Sequence, residues 1–491
     1  MDYETVIGLE VHTELLTRSK MFCGCANRFG AEPNTLTCPV CLGFPGTLPV
    51  INEKAVELAL KTGLALECRI NRDNLFARKN YFYPDMPKNY QISQYEEPIA
   101  VDGELKISPP PTPSPSRGED KSGGEKKIRI RRVHLEEDVG KLIHPDNVGY
   151  SLVDFNRAGV PLMEIVSEPD IDSPDAAFIF LTNLKTILQY LEVSDCNMEE
   201  GSLRCDANIS LRPAGTKELG TKVEVKNMNS FRAVRLALEY EVKRQVELLD
   251  GNQAEKLVQE TRLWNEAAGR TMPMRTKEEA QDYRYFPEPD LLPLKISEKF
   301  IQQVKNTLVE LPVKKVERFV AECQIPAYDA GVLASDRKLA DFFEKAHPHS
   351  PDPKMASNWI MTEVLSILKE EKKTIGELNL TPEAFGKILV MVWKKTITAA
   401  TGKEVLRLAI QTGRSPEELV AEKGLAQISD TGSLEQLAKD AINNNPKSVQ
   451  DYRGGKKNAL GFLVGCVMRQ SKGQANPQMV QEILLKLLGE P

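Results

Sequence analysis

Three observations predict an α+β fold for this 491-residue chain. Residues 1–295 mix short alternating runs, which read as strands, with only a few helical patterns. Residues from 296 onward are almost entirely helical in pattern. The Pro-rich segment FPEPDLLPL, at 286–294, stands where the pattern changes. Strands mixed with a few helices are built on an antiparallel sheet. The expected organisation is a cradle-like sheet domain over 1–295, a helical domain over 296–410 and a small helical tail over 411–491.

The first strand is YETVIGLEVHTEL. Ile7, Leu9 and Val11 fall on one face, and Val6, Gly8, Glu10 and His12 on the other. A carboxylate and an imidazole two residues apart therefore point the same way from a rigid element. That arrangement suits two ligands of a metal ion, or an acid/base pair. A helix follows at about 52–66, with Asn52 as its cap. Ser173-Pro174 opens a second helix, with Phe178, Leu181, Leu184, Leu188 and Leu191 on one face. A third runs from Ser230 to Asp250 and stops at Gly251, with Val234, Leu238, Val242 and Leu249 on its apolar side. Further strands are expected near 128–135, 151–156, 203–211 and 222–226. The run SPPPTPSPSRGEDKSGGEKK, residues 108–127, has nothing to bury and reads as a disordered hairpin tip between two strands. The helical part includes SDRKLADFFEKA, ASNWIMTEVLSILKEE and TPEAFGKILVMVWKK.

Hydrophobic content of 41% and charged content of 27% describe a soluble globular protein. No apolar run approaches the roughly 18 residues that span a bilayer. No signal or transit segment precedes the first strand, so a cytoplasmic location and no membrane partner are expected. There, nine cysteines are free thiols or metal ligands rather than disulfides. A net charge of −6 means that any RNA binding must use a local basic patch.

Cys23, Cys25, Cys38 and Cys41 form C-x-C and C-x-x-C pairs, here expected to make a zinc-knuckle insert at about 22–42. Four thiolates at such spacing close a tetrahedral Zn²⁺ site, structural because no coordination position stays open. Cys68, Cys196, Cys205, Cys323 and Cys466 lack paired spacing and read as buried thiols.

The polar strand faces recur. Arg204, Asp206, Asn208 and Ser210 share one face of SLRCDANISL. Glu224 and Lys226 share one face of KVEVKN, and Glu164 stands between Leu162 and Val166. His134, Glu136, Glu137 and Asp138 crowd a strand end. Taken singly, each is the solvated face of an antiparallel sheet. Taken together, they could line a concave sheet that holds Mg²⁺ and the phosphates it bridges, with Arg204 and Lys226 on the phosphates. No kinase signature, HExxH or P-loop is present; GTKELGTK has its Lys and Thr in the wrong order. No local sequence suggests an amidase nucleophile. In 445–475, Lys447, Arg453, Lys456, Lys457, Arg469 and Lys472 face a single Asp451; this is either a solvated surface or a phosphate-contacting tail.

The runs YETVIGLEVH, MFCGCANRFGAEPN, RKNYFYPDMPKNYQISQ, HLEEDVGK, SLVDFNRAGVPLMEIVSEPD, MEEGSLRCDANISLRP, EVKNMNSF, DYRYFPEPDL and GFLVGCVMRQSKGQANP span nearly the whole chain. In this order they resemble the B-subunit family of tRNA-dependent aspartyl/glutamyl-tRNA amidotransferases. The resemblance implies a protein that binds misacylated Glu-tRNA(Gln) or Asp-tRNA(Asn). It would activate the side-chain carboxylate with ATP and Mg²⁺ as an acyl phosphate. Ammonia would come from an amidase partner, the A-subunit, with a small C-subunit completing a heterotrimer. By motif, it implies a metal and ATP site of Glu10, His12, Glu137, Glu164, Asp206 and Glu224, with Lys79 in the same pocket, and a tail that touches tRNA through Lys456, Lys457, Arg469 and Lys472. Zinc is not required by the resemblance and rests on spacing alone. The competing reading is a non-catalytic tRNA-binding scaffold. Against it, six acidic or imidazole groups in one concavity would repel phosphate unless a metal were present.

Overall fold

The computed structural model describes all residues except 1, 108–124, 146–147, 277–281, 426–430, 457, 472–474 and 490–491. The chain divides into two compact units, Met1–Pro312 and Val313–Pro491.

The strands of the first unit begin with β1 (Tyr3–Glu14), β2 (Arg69–Ile70), β3 (Asp73–Asn74), β4 (Ala77–Asn80), β5 (Tyr90–Ser93), β6 (Ala100–Ile107), β7 (Lys126–Glu137) and β8 (Lys141–Ile143). They continue with β9 (Leu152–Asp154), β10 (Pro161–Ser167), β11 (Leu203–Pro213), β12 (Val223–Lys226), β13 (Glu260–Asn265), β14 (Arg270–Thr276), β15 (Phe286–Pro287) and β16 (Leu294–Lys295). The helices are α1 (Glu53–Ala65), α2 (Pro174–Tyr190), α3 (Phe231–Asp250) and α4 (Glu298–Lys305). Asn52, Ser173 and Ser230 cap the first three helices, each accepting from backbone N–H groups of the first turn.

A 12-stranded sheet organises the unit, in the order β14-β13-β12-β11-β1-β10-β7-β5-β4-β15, with β6 on β7 and β2 on β6. Its pairings are antiparallel except β12 with β13. Strand β1 lies centrally, paired with β11 over Tyr3–Thr13 and with β10 over Glu10–Glu14. Ile7, Leu9 and Val11 are buried in the main core, against which α1, α2 and α3 pack. Burying each such side chain contributes about 1.5–3 kcal/mol. The other face carries the polar residues.

Strands β6 and β7 pair out to Ile107 and Lys126, so the Pro-rich insert joins two paired strands, as a hairpin connection should. Lys126 and Lys127 belong to β7 rather than to the insert; 108–124 lie outside the described residues. The strand expected near 151–156 forms, but in a separate ribbon with β8. The first unit also runs past the Pro-rich segment. Strands β15 and β16 return to β4 and β3, and α4 packs on α1.

The second unit is helical and has two apolar cores. One spans Phe319 to Val420; the other spans Leu434 to Leu488. No helix among the described residues is long and apolar enough to cross a membrane.

Candidate metal and phosphate site

Register builds the site. His12 lies opposite Glu164 on one side and Arg204 on the other, and Glu164 in turn lies opposite His134. Glu10 lies opposite Asp206, and the next pair on β11 and β12 is Asn208 with Glu224. Directly opposed residues share a face of the sheet, so groups far apart in sequence converge.

They form two clusters. His12, Glu136 and Glu164 bring ligand atoms within 4.8 Å of one another, as do Glu10, Asp206 and Glu224. Glu10 and His12, adjacent on one strand face, therefore serve different clusters. In the first, His12 Nε2 is 3.8 Å from Glu136 and 3.6 Å from Glu164. These gaps are too long for hydrogen bonds. They lie within the roughly 4 Å that separates opposed ligands of an ion bound at 2.0–2.1 Å. His134 Nε2 lies 3.0 Å from Glu164, and buried His134 Nδ1 has no hydrogen-bond partner among the described residues. Burial disfavours charge on His134, but Glu164 and Glu136 outweigh it and raise its pKa to about 9. Burial also works against ionising Glu164, yet His134 and His12 hold it well below the usual carboxylate range.

In the second cluster, Asn208 donates to Glu10 at 2.9 Å and Thr261 donates to Glu224 at 2.8 Å. Lys226 contacts Asp206, and its Nζ lies 3.2 Å from Glu224. Its ammonium thus neutralises acids that would otherwise repel one another. Burial opposes that charge, but Asp206 and then Glu224 raise the Lys226 pKa.

Lys79 reaches the first cluster from β4. Its desolvation is outweighed by Glu136, with help from Tyr285 and Glu164, so it stays charged. Its Nζ sits 5.0 Å from the Tyr283 ring centroid. The buried side of Tyr285 senses Glu136 and Glu164 as well.

Two expected site residues lie elsewhere. Glu137 is in neither cluster. Alternation along β7 turns it to the opposite face, where it pairs with Lys88 and accepts from Ile92 N–H at 3.0 Å. Its neighbour Glu136 occupies the place expected for it. The signal was present as a crowded acidic strand end, but only pairing with Ser93 on β5 and Leu162 on β10 fixes which residue faces the site. Arg204 bonds Asp138 at 2.5 Å, near Glu14 and Arg157, and so closes the end of the polar face rather than standing free for phosphate.

The four cysteines converge, their Sγ atoms all within 4.8 Å. Cys38 Sγ and Cys41 Sγ are 3.9 Å apart. A tetrahedron with Zn–S of about 2.3 Å has edges of about 3.8 Å, so the sulfurs fit zinc. Cys41 accepts from the Cys38 N–H at 3.2 Å and from Lys20 Nζ at 3.7 Å. With the Cys23 thiol as the largest influence, these hold the Cys41 pKa down at about 4. The other five cysteines are buried or half-buried and free.

In the tail, Arg469 is exposed on the helix Asn458–Gln470 and Lys456 pairs with Asp451 at 2.9 Å. Lys457 and Lys472 lie outside the described residues.

Residues 5–302 match the family model described as the GatB/GatE catalytic domain, and 341–488 match the GatB domain. The chain is 53% identical over 490 residues to the aspartyl/glutamyl-tRNA(Asn/Gln) amidotransferase B-subunit of Caldanaerobacter subterraneus, covering 100% of both chains. The like-named proteins of Thermodesulfovibrio yellowstonii and a Thermoanaerobacter species are also 53% identical, again over 100% of both chains.

Proposed function

The chain belongs to the GatB/GatE family, among the B-subunits of aspartyl/glutamyl-tRNA(Asn/Gln) amidotransferases, and from that premise we propose that its two carboxylate clusters activate a tRNA-borne carboxylate with ATP. The substrates are Glu-tRNA(Gln), Asp-tRNA(Asn) or both. A carboxylate oxygen of the amino-acid side chain attacks the γ-phosphorus of ATP, the bond to ADP breaks, and an acyl phosphate forms. Ammonia then attacks the acyl carbon, inorganic phosphate leaves, and the nitrogen loses a proton to give the amide. The reaction is a carbon–nitrogen ligation with glutamine as amido donor.

The carrying observation is the convergence of Glu10, Asp206 and Glu224 beside His12, Glu136 and Glu164. Carboxylate oxygens are the donors Mg²⁺ prefers, and when bound the ion would neutralise charge on the phosphates. The chain's own groups hold the rest. Asn208 and Thr261 fix the orientation of Glu10 and Glu224. Lys226 and Lys79 bring positive charge to each cluster, where phosphate oxygens need it. Cys23, Cys25, Cys38 and Cys41 would hold a structural Zn²⁺.

Ammonia reaches the site from the amidase A-subunit, with a small C-subunit completing a cytoplasmic heterotrimer. Residues 1–295 carry the chemistry, 296–410 form a helical domain, and 411–491 touch the tRNA body through Lys456, Lys457, Arg469 and Lys472. A separate apolar core from Leu434 to Leu488 supports a distinct tail, while Ile296 and Val304 pack in the first core and Leu419 and Val420 in the middle one.

The test uses the assembled amidotransferase with ATP, glutamine and Glu-tRNA(Gln). Glu10→Ala and Asp206→Ala should bind tRNA normally and lose Gln-tRNA formation. Full-rate product from both variants would leave a tRNA-binding scaffold as the better reading.

A further inference from the structure

Beside the first cluster stand aromatic rings that the phosphorylation chemistry does not use. Tyr95 and Tyr285 stack with centroids 4.2 Å apart and planes 11° apart. Tyr283 meets Tyr285 edge-on at 6.1 Å. Both members of the stack are tethered to the catalytic face by short pieces of chain. Tyr95 follows Ser93, whose hydroxyl donates to Glu136 at 3.3 Å, and Gln94, which exchanges backbone and side-chain hydrogen bonds with Leu135. Tyr285 belongs to the segment 283–285, which Asn80 holds through the carbonyls of Tyr283 and Arg284. Asn80 is the neighbour of Lys79.

A stack whose task was only to tie that segment down would bury both rings. Tyr285 is half-buried, but Tyr95 keeps 47% of its surface exposed. One face of Tyr95 is occupied by Tyr285. A half-exposed ring already stacked against one aromatic partner suits a further planar ring. The two substrates that the proposed function brings to this cluster share one such ring. ATP carries adenine, and every aminoacyl-tRNA carries its amino acid on a terminal adenosine.

We propose that Tyr95, backed by Tyr285, is a stacking platform for an adenine ring whose attached phosphate or aminoacyl group enters the His12/Glu136/Glu164 cluster. The inference rests on the functional reading above for its ligand class. The stack seats the base, and the short tethers hold it at a fixed distance from the carboxylates. Tyr95 acts by positioning; it transfers nothing.

Two probes distinguish the sources of the ring: 8-azidoadenosine triphosphate, and glutamyl-tRNA ending in 8-azidoadenosine. Each is photolysed on the assembled enzyme and the adducts are mapped by mass spectrometry. One probe should label Tyr95 or Tyr285 and so name the source. Tyr95→Ala should raise the KM of that substrate about tenfold with kcat little changed, and Tyr95→Phe, which keeps the ring, should restore it. The inference is overturned if both probes label only other residues, or if Tyr95→Ala leaves both KM values within about twofold of wild type. Glu164→Gln separates this from the functional reading. If it keeps the wild-type rate, that reading fails; if it loses the rate while neither probe labels the stack, the platform alone fails.

Discussion

Glu136 and Glu137 are consecutive on β7 and face opposite sides of the sheet: Glu136 joins His12 and Glu164, while Glu137 pairs with Lys88 beside the cysteine cluster. Two neighbouring carboxylates of the same type thus sit in separate surroundings. Glu136→Gln should cut amide formation on tRNA by about 100-fold or more, the range for removing one charge-stabilising group, and should also lower the melting temperature, because Glu136 is the main counter-charge of Lys79. Glu137→Gln should leave Lys88, whose side chain is only 8% exposed, without its counter-charge. The expected cost is about 3–5 kcal/mol of stability. Thermal melts and single-turnover rates on the same preparations check both halves.

The pH dependence of stability should report Glu14. Burial, with Asp138 adding and Arg204 opposing, raises its pKa from 4.5 to about 8. Between those values the folded chain holds more protons than the unfolded one. This contribution is therefore full below 4.5 and is lost as pH rises through about 8. The melting temperature should fall between about pH 5 and 8, and Glu14→Gln, which mimics the protonated acid, should flatten that fall.

Metal analysis of the purified chain should find about one zinc bound by sulfur. Cys25→Ser should lower that content and destabilise the segment 22–50. Stoichiometric zinc in a variant lacking both Cys38 and Cys41 would exclude this site.

Removing a tail cation should change the salt dependence of tRNA binding. Arg469→Ala should weaken binding and reduce the slope of log affinity against log salt by about 1 if it meets a phosphate. Lys456→Ala should do less, because Lys456 already pairs with Asp451.

Much of the cradle was legible because alternation is local. The odd–even pattern of β1 placed Glu10 and His12 on the polar face, and the same rule placed Glu164, Asp206 and Glu224. What local pattern could not supply was register. The partition of Glu10 from His12 depends on which residues of β10 and β11 lie opposite. The roles of Glu136 and Arg204 depend on contacts 43 and 66 residues away along the chain. The tyrosine stack was illegible for the same reason, since Tyr95 and Tyr285 meet only once β5 and β15 both pair with β4.

Lys20 is 1% exposed, and its ammonium rests on the Cys41 sulfur and the Phe155 carbonyl. The negative charge of the Cys41 sulfur thus helps to make its burial tolerable. Oxidation of these thiols to disulfides would erase that charge and strand a cation inside the protein, at a cost of several kcal/mol. The fold therefore sets its own penalty against oxidative damage at this corner, and the reduced state is favoured by a lysine that takes no part in redox chemistry.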